Sequence, residues 1–110
     1  MVNQDELKKS KKRALRKEGG KYLTRLRKDA GLTQRELAEK IGLEYYTFIS
    51  QVESGQGRLQ ASLYESAATA FGIEPKEFVK NMLMYYEPDT YDALFRRSGG
   101  QKDGAQKQVK

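Results

Sequence analysis

The segment between Gly31 and Gly42 constrains this chain more than any other. It reads Leu-Thr-Gln-Arg-Glu-Leu-Ala-Glu-Lys-Ile. Thr33 and Glu36 stand at the spacing of a capping box, in which each side chain serves the other's free backbone N–H. Leu32 before the cap and Leu37 after it stand at hydrophobic-staple spacing. Leu37, Ala38 and Ile41 then share one face at helical spacing, and Gly42 supplies the stop. A helix this short must bury its stripe against neighbouring helices, and the small Ala38 lets one of them cross closely.

The flanking sequence predicts such neighbours. A first helix is expected from Lys21 to Ala30, with Tyr22, Leu23 and Leu26 inward. Gly19-Gly20 punctuates the chain before it and Gly31 ends it. A third helix is expected from Tyr45 to Ser54, with Phe48, Ile49 and Val52 on one face and Gly55 as its stop. Ser62 and Glu65 repeat the capping-box spacing ahead of a fourth helix that reaches Phe71. Pro75 suits the first turn of a fifth helix ending near Tyr85, with Phe78, Val79, Met82 and Leu83 inward. Pro88 breaks the chain, and Asp89 is expected to cap a short sixth helix through Tyr91, Leu94 and Phe95. No run reads as a strand or a repeat. The fold is therefore expected to be all-α. It comprises a basic N-terminal arm over 1–19, flexible or helical, and a five-helix domain over 20–86. A helical extension follows over 87–97, and a disordered tail over 98–110.

Charge sorts the function classes. The chain of 110 residues carries a net charge of +6. Residues 1–30 contribute +7 and the remainder −1, so a basic arm precedes a near-neutral body. That asymmetry points to a polyanion partner, against the plainer possibility of a solubilising tail. With no cysteine and no histidine, disulfides, thiolate metal sites and the commonest general base are all absent. No paired constellation of Asp, Glu or Ser suggests catalysis either. The expectation is a protein that is not an enzyme and holds no cofactor or metal. No stretch reaches the roughly 18 apolar residues of a membrane span. The basic N-terminus lacks a signal peptide's apolar core, so the cytoplasm is the expected location.

A helix, a turn of about four residues with glycine and a second short helix make a helix-turn-helix pattern. The third helix sharpens it. Its outward residues Tyr46, Thr47, Ser50, Gln51 and Ser54 are uncharged, whereas a helix facing only water usually carries Glu and Lys. Amides and hydroxyls suit the donors and acceptors of base edges in the major groove. Arg58, in the loop after this helix, suits a phosphate contact or simple solvation.

Leu23 to Ile73 resembles the lambda repressor and Cro type of helix-turn-helix domain, also called XRE-like. The resemblance lies in Leu26-Arg27, in G-L-T-Q-R-E-L-A-E-K-I-G at 31–42 and in I-S-Q-V-E-S-G at 49–55. It continues through Ala67, Ala68, Phe71, Gly72 and Ile73. It implies a phosphate contact for Gln34, a position that a helix N-terminus also favours. It implies base reading by Tyr46, Thr47, Ser50 and Gln51, and a structural ion pair between Arg27 and Glu53. Between Gly42 and Ile49 the chain departs from the usual pattern by one extra residue. The register there stays open, and Tyr45 is an alternative to the favoured Tyr46 as the exposed tyrosine. Adjacent helical residues point about 100° apart, so one tyrosine is expected to pack and the other to read.

The expected function is that of a sequence-specific transcriptional regulator on double-stranded DNA. Phosphate contacts are expected from Gln34, Gln56, Arg58, Lys12, Arg13, Arg16 and Lys17. Base contacts are expected from Tyr45 or Tyr46, with Thr47, Ser50 and Gln51. A homodimer is expected, with Tyr85, Tyr86, Tyr91, Leu94 and Phe95 at its interface. The alternatives are an antitoxin-like module that docks a protein partner and autoregulates, and an architectural binder indifferent to sequence.

Overall fold

The computed structural model of the chain describes residues 3–95, which form helices and connecting turns with no strand among them. Six α-helices follow in order: α1 Gln4–Asp29, α2 Gln34–Lys40, α3 Thr47–Ser54, α4 Tyr64–Phe71, α5 Pro75–Tyr86 and α6 Pro88–Phe95. A 3₁₀ turn over Ala61–Leu63 leads into α4. The all-α fold expected from the sequence is the fold observed. The tail expected over 98–110 lies outside the described residues.

The first helix differs from expectation. It does not begin at Lys21 but runs unbroken for 26 residues from Gln4, through Gly19 and Gly20. Asn3 caps it by accepting the Glu6 amide at 2.8 Å, and Asp5 and Glu6 favour its positive end. The glycine pair is a contact point rather than a break. A Cβ on Gly20 would collide with the carbonyl oxygen of Glu53 in α3. One on Gly19 would lie 2.9 Å from Cβ of Tyr85 in α5. The missing side chains let α1 lie against both helices, which offsets the roughly 1 kcal/mol that glycine costs in a helix interior.

The capping box at the head of α2 is complete: Thr33 accepts the Glu36 amide at 3.0 Å, and Glu36 accepts the Thr33 amide at 2.9 Å. These bonds hold the Glu36 carboxyl below its ordinary pKa, the backbone bond being the larger cause. The same spacing at Ser62 and Glu65 makes no box. Ser62 lies inside the 3₁₀ turn, and α4 starts beyond it at Tyr64, with Leu63 at its N-cap and no side-chain capping bond.

Phe78 and Met82 of α5 sit fully buried at the centre, against Ile49 and Val52 of α3 and Ala67 and Ala68 of α4. Tyr64, Phe71 and Tyr22 surround Phe78 with ring centroids at 5.8, 5.8 and 6.3 Å. Three alanines, Ala38, Ala67 and Ala68, are almost completely buried. Their small size lets these short helices approach closely.

Tyr85 and Tyr86 depart from the expected interface role. Tyr86 is buried, and Tyr85 lies half-buried against the Tyr22 ring at 5.4 Å. Both serve the chain's own interior. Leu94 and Phe95 remain exposed on α6, while Tyr91 is half-buried with its ring 5.2 Å from that of Phe95.

Candidate nucleic-acid interface

α3 begins later than its apolar pattern suggests. It starts at Thr47 rather than Tyr45, so the turn from Lys40 is longer than four residues. Tyr46 occupies the N-cap with helical backbone angles and no capping hydrogen bond, and its carbonyl accepts the Ile49 amide at 2.9 Å. Half-buried Leu43 anchors the turn, its amide donating to Ala38 O at 2.8 Å. The extra length carries Tyr45 and Tyr46 outward.

Neither tyrosine packs into the core, which corrects the expectation that one would. Tyr45 is 67% exposed and Tyr46 is 40% exposed. The Tyr46 ring instead meets the Arg35 guanidinium, whose central carbon stands 4.5 Å from the ring centroid. Sequence reasoning passes over Arg35. It is an ordinary cation in a helical pattern, and only the turn brings the ring beneath it.

Thr47, Ser50, Gln51 and Ser54 are exposed together along α3, while Ile49 and Val52 are buried behind them. The one charged residue of α3, Glu53, is turned inward. Arg27 grips it with two bonds, Nε to Oε2 at 2.7 Å and Nη2 to Oε1 at 3.1 Å. Arg27 Nη1 also donates to the Leu32 carbonyl at 2.8 Å, tying the start of the α2 segment into the same knot. Side-chain exposures of 11% and 7% place this fork largely out of water. α3 is thereby fixed to α1 and α2 on its inner side, and its outer face is left without charge.

Gln34 joins this knot, its side-chain amide donating to Glu53 Oε1 at 3.0 Å. The amide keeps a second N–H, and its carbonyl oxygen makes no hydrogen bond among the described residues. At the other end of α3, Gly55 takes a left-handed conformation with φ of 87°. Its Cα approaches α1 so closely that a Cβ would lie 2.8 Å from Cα of Lys17. Arg16 Nε donates to the Gly55 carbonyl at 2.9 Å. Arg16 is therefore half-buried and engaged, whereas Lys12, Arg13 and Lys17 are exposed.

Arg58 is also engaged. It pairs with Glu87 at 3.0 Å and lies over the Tyr86 ring at 4.9 Å from the centroid. Tyr86 in turn accepts the buried Leu59 amide at 3.1 Å, and burial pushes its hydroxyl pKa up. The 55–59 loop is thus fastened to the end of α5. Gln56 stays exposed, with its amide bonded to Gln51 O at 3.0 Å.

No helix of the described residues is long and apolar enough to cross a membrane. Among them no group of three or more Asp or Glu stands ready to hold a metal ion. No match is found among curated proteins. A family model described as a helix-turn-helix domain matches residues 19–78, which span α1 from Gly19 onward, all of α2, α3 and α4, and the start of α5. That is more than half of the 110 residues, and the chain belongs to the helix-turn-helix domain family, a DNA-binding fold.

Proposed function

We propose that the protein is a sequence-specific transcriptional regulator that lays α3 in the DNA major groove. One observation carries this reading: α3 turns its only charge inward and presents Thr47, Ser50 and Gln51 outward on a helix fixed by the Arg27–Glu53 fork. Hydroxyl and amide groups held in place discriminate base edges, whereas mobile charges hold phosphates without regard to sequence. Tyr45 and Tyr46 extend the reading face at the helix start.

Phosphate contacts fall to Gln34, Gln56, Lys12, Arg13 and Lys17, with Arg58 and Arg16 contributing from the loop and the adjoining arm. Arg58 reaches a phosphate by exchanging Glu87 for it. Exposed Leu94 and Phe95, beside Pro75, Val79 and Leu83, form an apolar face suited to a second copy of the chain. Two copies would place two α3 helices on half-sites about one helical turn apart. The protein acts on DNA in the cytoplasm and needs no cofactor.

Selection of bound duplexes from a random-sequence pool tests the reading. A regulator enriches a defined motif, bound about 10³-fold or more tighter than random DNA. An architectural binder enriches none. If the enriched duplexes carry one unpaired half-site and the chain sediments as a monomer, the α6 face is not a dimer interface.

A further inference from the structure

We propose that Arg35 is a base-contacting, specificity-determining residue, a guanine reader supported from behind by the Tyr46 ring. The inference rests on the reading that α3 enters the major groove, and adds a residue from α2 to it.

Three arginines near the interface are already occupied. Arg27 is locked on Glu53, Arg58 on Glu87, and Arg16 on the Gly55 carbonyl. Arg35 is different. Among the described residues no carboxylate pairs with it and no hydrogen bond engages it. Its fork of five N–H donors is free. Yet its guanidinium is not loose, because it stands 4.5 Å from the centroid of Tyr46. A cation over an aromatic face is attracted by the ring's quadrupole, so the ring restrains the guanidinium while leaving its N–H edges open.

The location is equally specific. Arg35 is the second residue of α2, and Tyr46 immediately precedes α3. The pair therefore spans the turn beside the first exposed residue of α3, Thr47. Where α3 would normally open on a capping Ser or Thr, it opens on a tyrosine held by an arginine. A cation is not favoured at the positive end of α2, so helix stability does not account for arginine there. A restrained planar fork beside a reading helix matches the O6 and N7 acceptors of guanine, which arginine contacts in bidentate fashion.

The test uses the full chain and the duplex it enriches from a random-sequence pool. Binding of the wild type, Arg35→Ala, Arg35→Lys, Tyr46→Phe and Tyr46→Leu is measured on that duplex and on each single-base-pair variant of it. One G·C pair should matter. Replacing it should weaken the wild type about 5- to 150-fold and Arg35→Ala hardly at all. Tyr46→Phe, which keeps the ring, should keep that preference. Tyr46→Leu, which removes the ring, should blunt it with Arg35 still present, and Arg35→Lys should blunt it too. Arg35→Ala should melt like the wild type. A uniform loss on all duplexes, with the slope of log affinity against log salt reduced by about 0.9, would make Arg35 a phosphate contact and overturn the proposal. Equal base preferences in wild type and Arg35→Ala would overturn it as well. A wild type that enriches no motif overturns the parent reading together with this one. Failure of Arg35 alone, with Gln51→Ala still losing specificity, leaves the parent reading standing.

Discussion

Between Lys8 and Lys17 α1 carries seven lysines and arginines, all of them exposed except Arg16; α3 carries one charged residue and buries it against Arg27. The first region carries its charge at the ends of long, exposed side chains along a helix. Its exposed side chains line the outer part of the helix, which comes near the rest of the chain at Lys12, Leu15, Arg16 and Lys17. The second has geometry without charge. Its inner face is knotted to α1 and α2, and its outer face offers only hydroxyls and amides. The physics of nucleic-acid binding gives different work to such surfaces. Mobile cations release counterions and hold any sequence, while restrained donors and acceptors select one. The proposed function assigns holding to the arm and reading to α3, and four sets of variants break or sharpen that contrast.

The largest effect is expected at the knot that fixes α3. Arg27→Ala or Glu53→Ala leaves a partly buried charge unpaired and should cost about 3 kcal/mol of stability. Thermal or urea unfolding measures it. Unchanged stability in both variants would mean that α3 is held by its apolar face alone. Next comes the fastening beyond α3. Tyr86→Phe deprives the buried Leu59 amide of its acceptor and should cost about 1–3 kcal/mol. Hydrogen exchange should show faster opening of the 55–59 loop while the arm is unaffected.

A smaller effect is expected at the exposed Arg58–Glu87 pair. Glu87→Gln spares Arg58 the exchange of its partner for a phosphate, so binding to all duplexes should tighten a few-fold while the salt slope, which counts the phosphates held in the complex, hardly changes. Stability should hardly change, since exposed pairs contribute little. Addition of Arg58→Ala should erase the tightening. If Glu87→Gln leaves affinity untouched, Arg58 belongs with the structural arginines and not with the arm.

The smallest effect concerns pH. The Glu36 carboxyl is held below its ordinary value of 4.5 by the Thr33 bonds. A depressed pKa adds stability above the unfolded value, and this is lost as pH falls through the folded one. Acid unfolding curves of the wild type and Glu36→Gln should therefore converge below pH 4.5 relative to neutral pH. Parallel curves would show that the box contributes nothing through charge.

How much of this was legible in the sequence follows from range. The box at Thr33 and Glu36 is a local device, and its flanking glycines set the ends of α2, so that segment reads directly. The inward faces of α3, α4 and α5 follow from helical spacing in the same way. Gly19-Gly20 misleads because glycine marks both breaks and close crossings; only Glu53 and Tyr85, far along the chain, decide between them. Asn3 followed by Asp5 and Glu6 is a usable N-cap signal that extends α1 to its true start. At Ser62 the box spacing is present but the 3₁₀ turn overrides it. The partners of Arg58 and Gln34 lie 29 and 19 residues away, and no local pattern foretells them. The outward position of both Tyr45 and Tyr46 depends on the longer turn, which the spacing from Gly42 to Ile49 signals without fixing its shape.

The central claim is that holding and reading reside in different parts of the chain, and one salt titration tests it most directly. The full chain is compared with a variant lacking residues 1–13, and with Gln51→Ala and Ser50→Ala, on the enriched duplex and on random duplexes. The truncation keeps Leu15, Arg16 and Lys17, and removes five exposed cations, Lys8, Lys9, Lys11, Lys12 and Arg13. It should weaken binding to every duplex alike and flatten the salt slope by about 0.9 for each phosphate that the arm no longer neutralises. Gln51→Ala and Ser50→Ala should each lose about 1–3 kcal/mol on the enriched duplex and little on random DNA, with the slope nearly unchanged. The contradictory result is an arm truncation that alters sequence preference while the two α3 variants bind the enriched duplex as well as the full chain does.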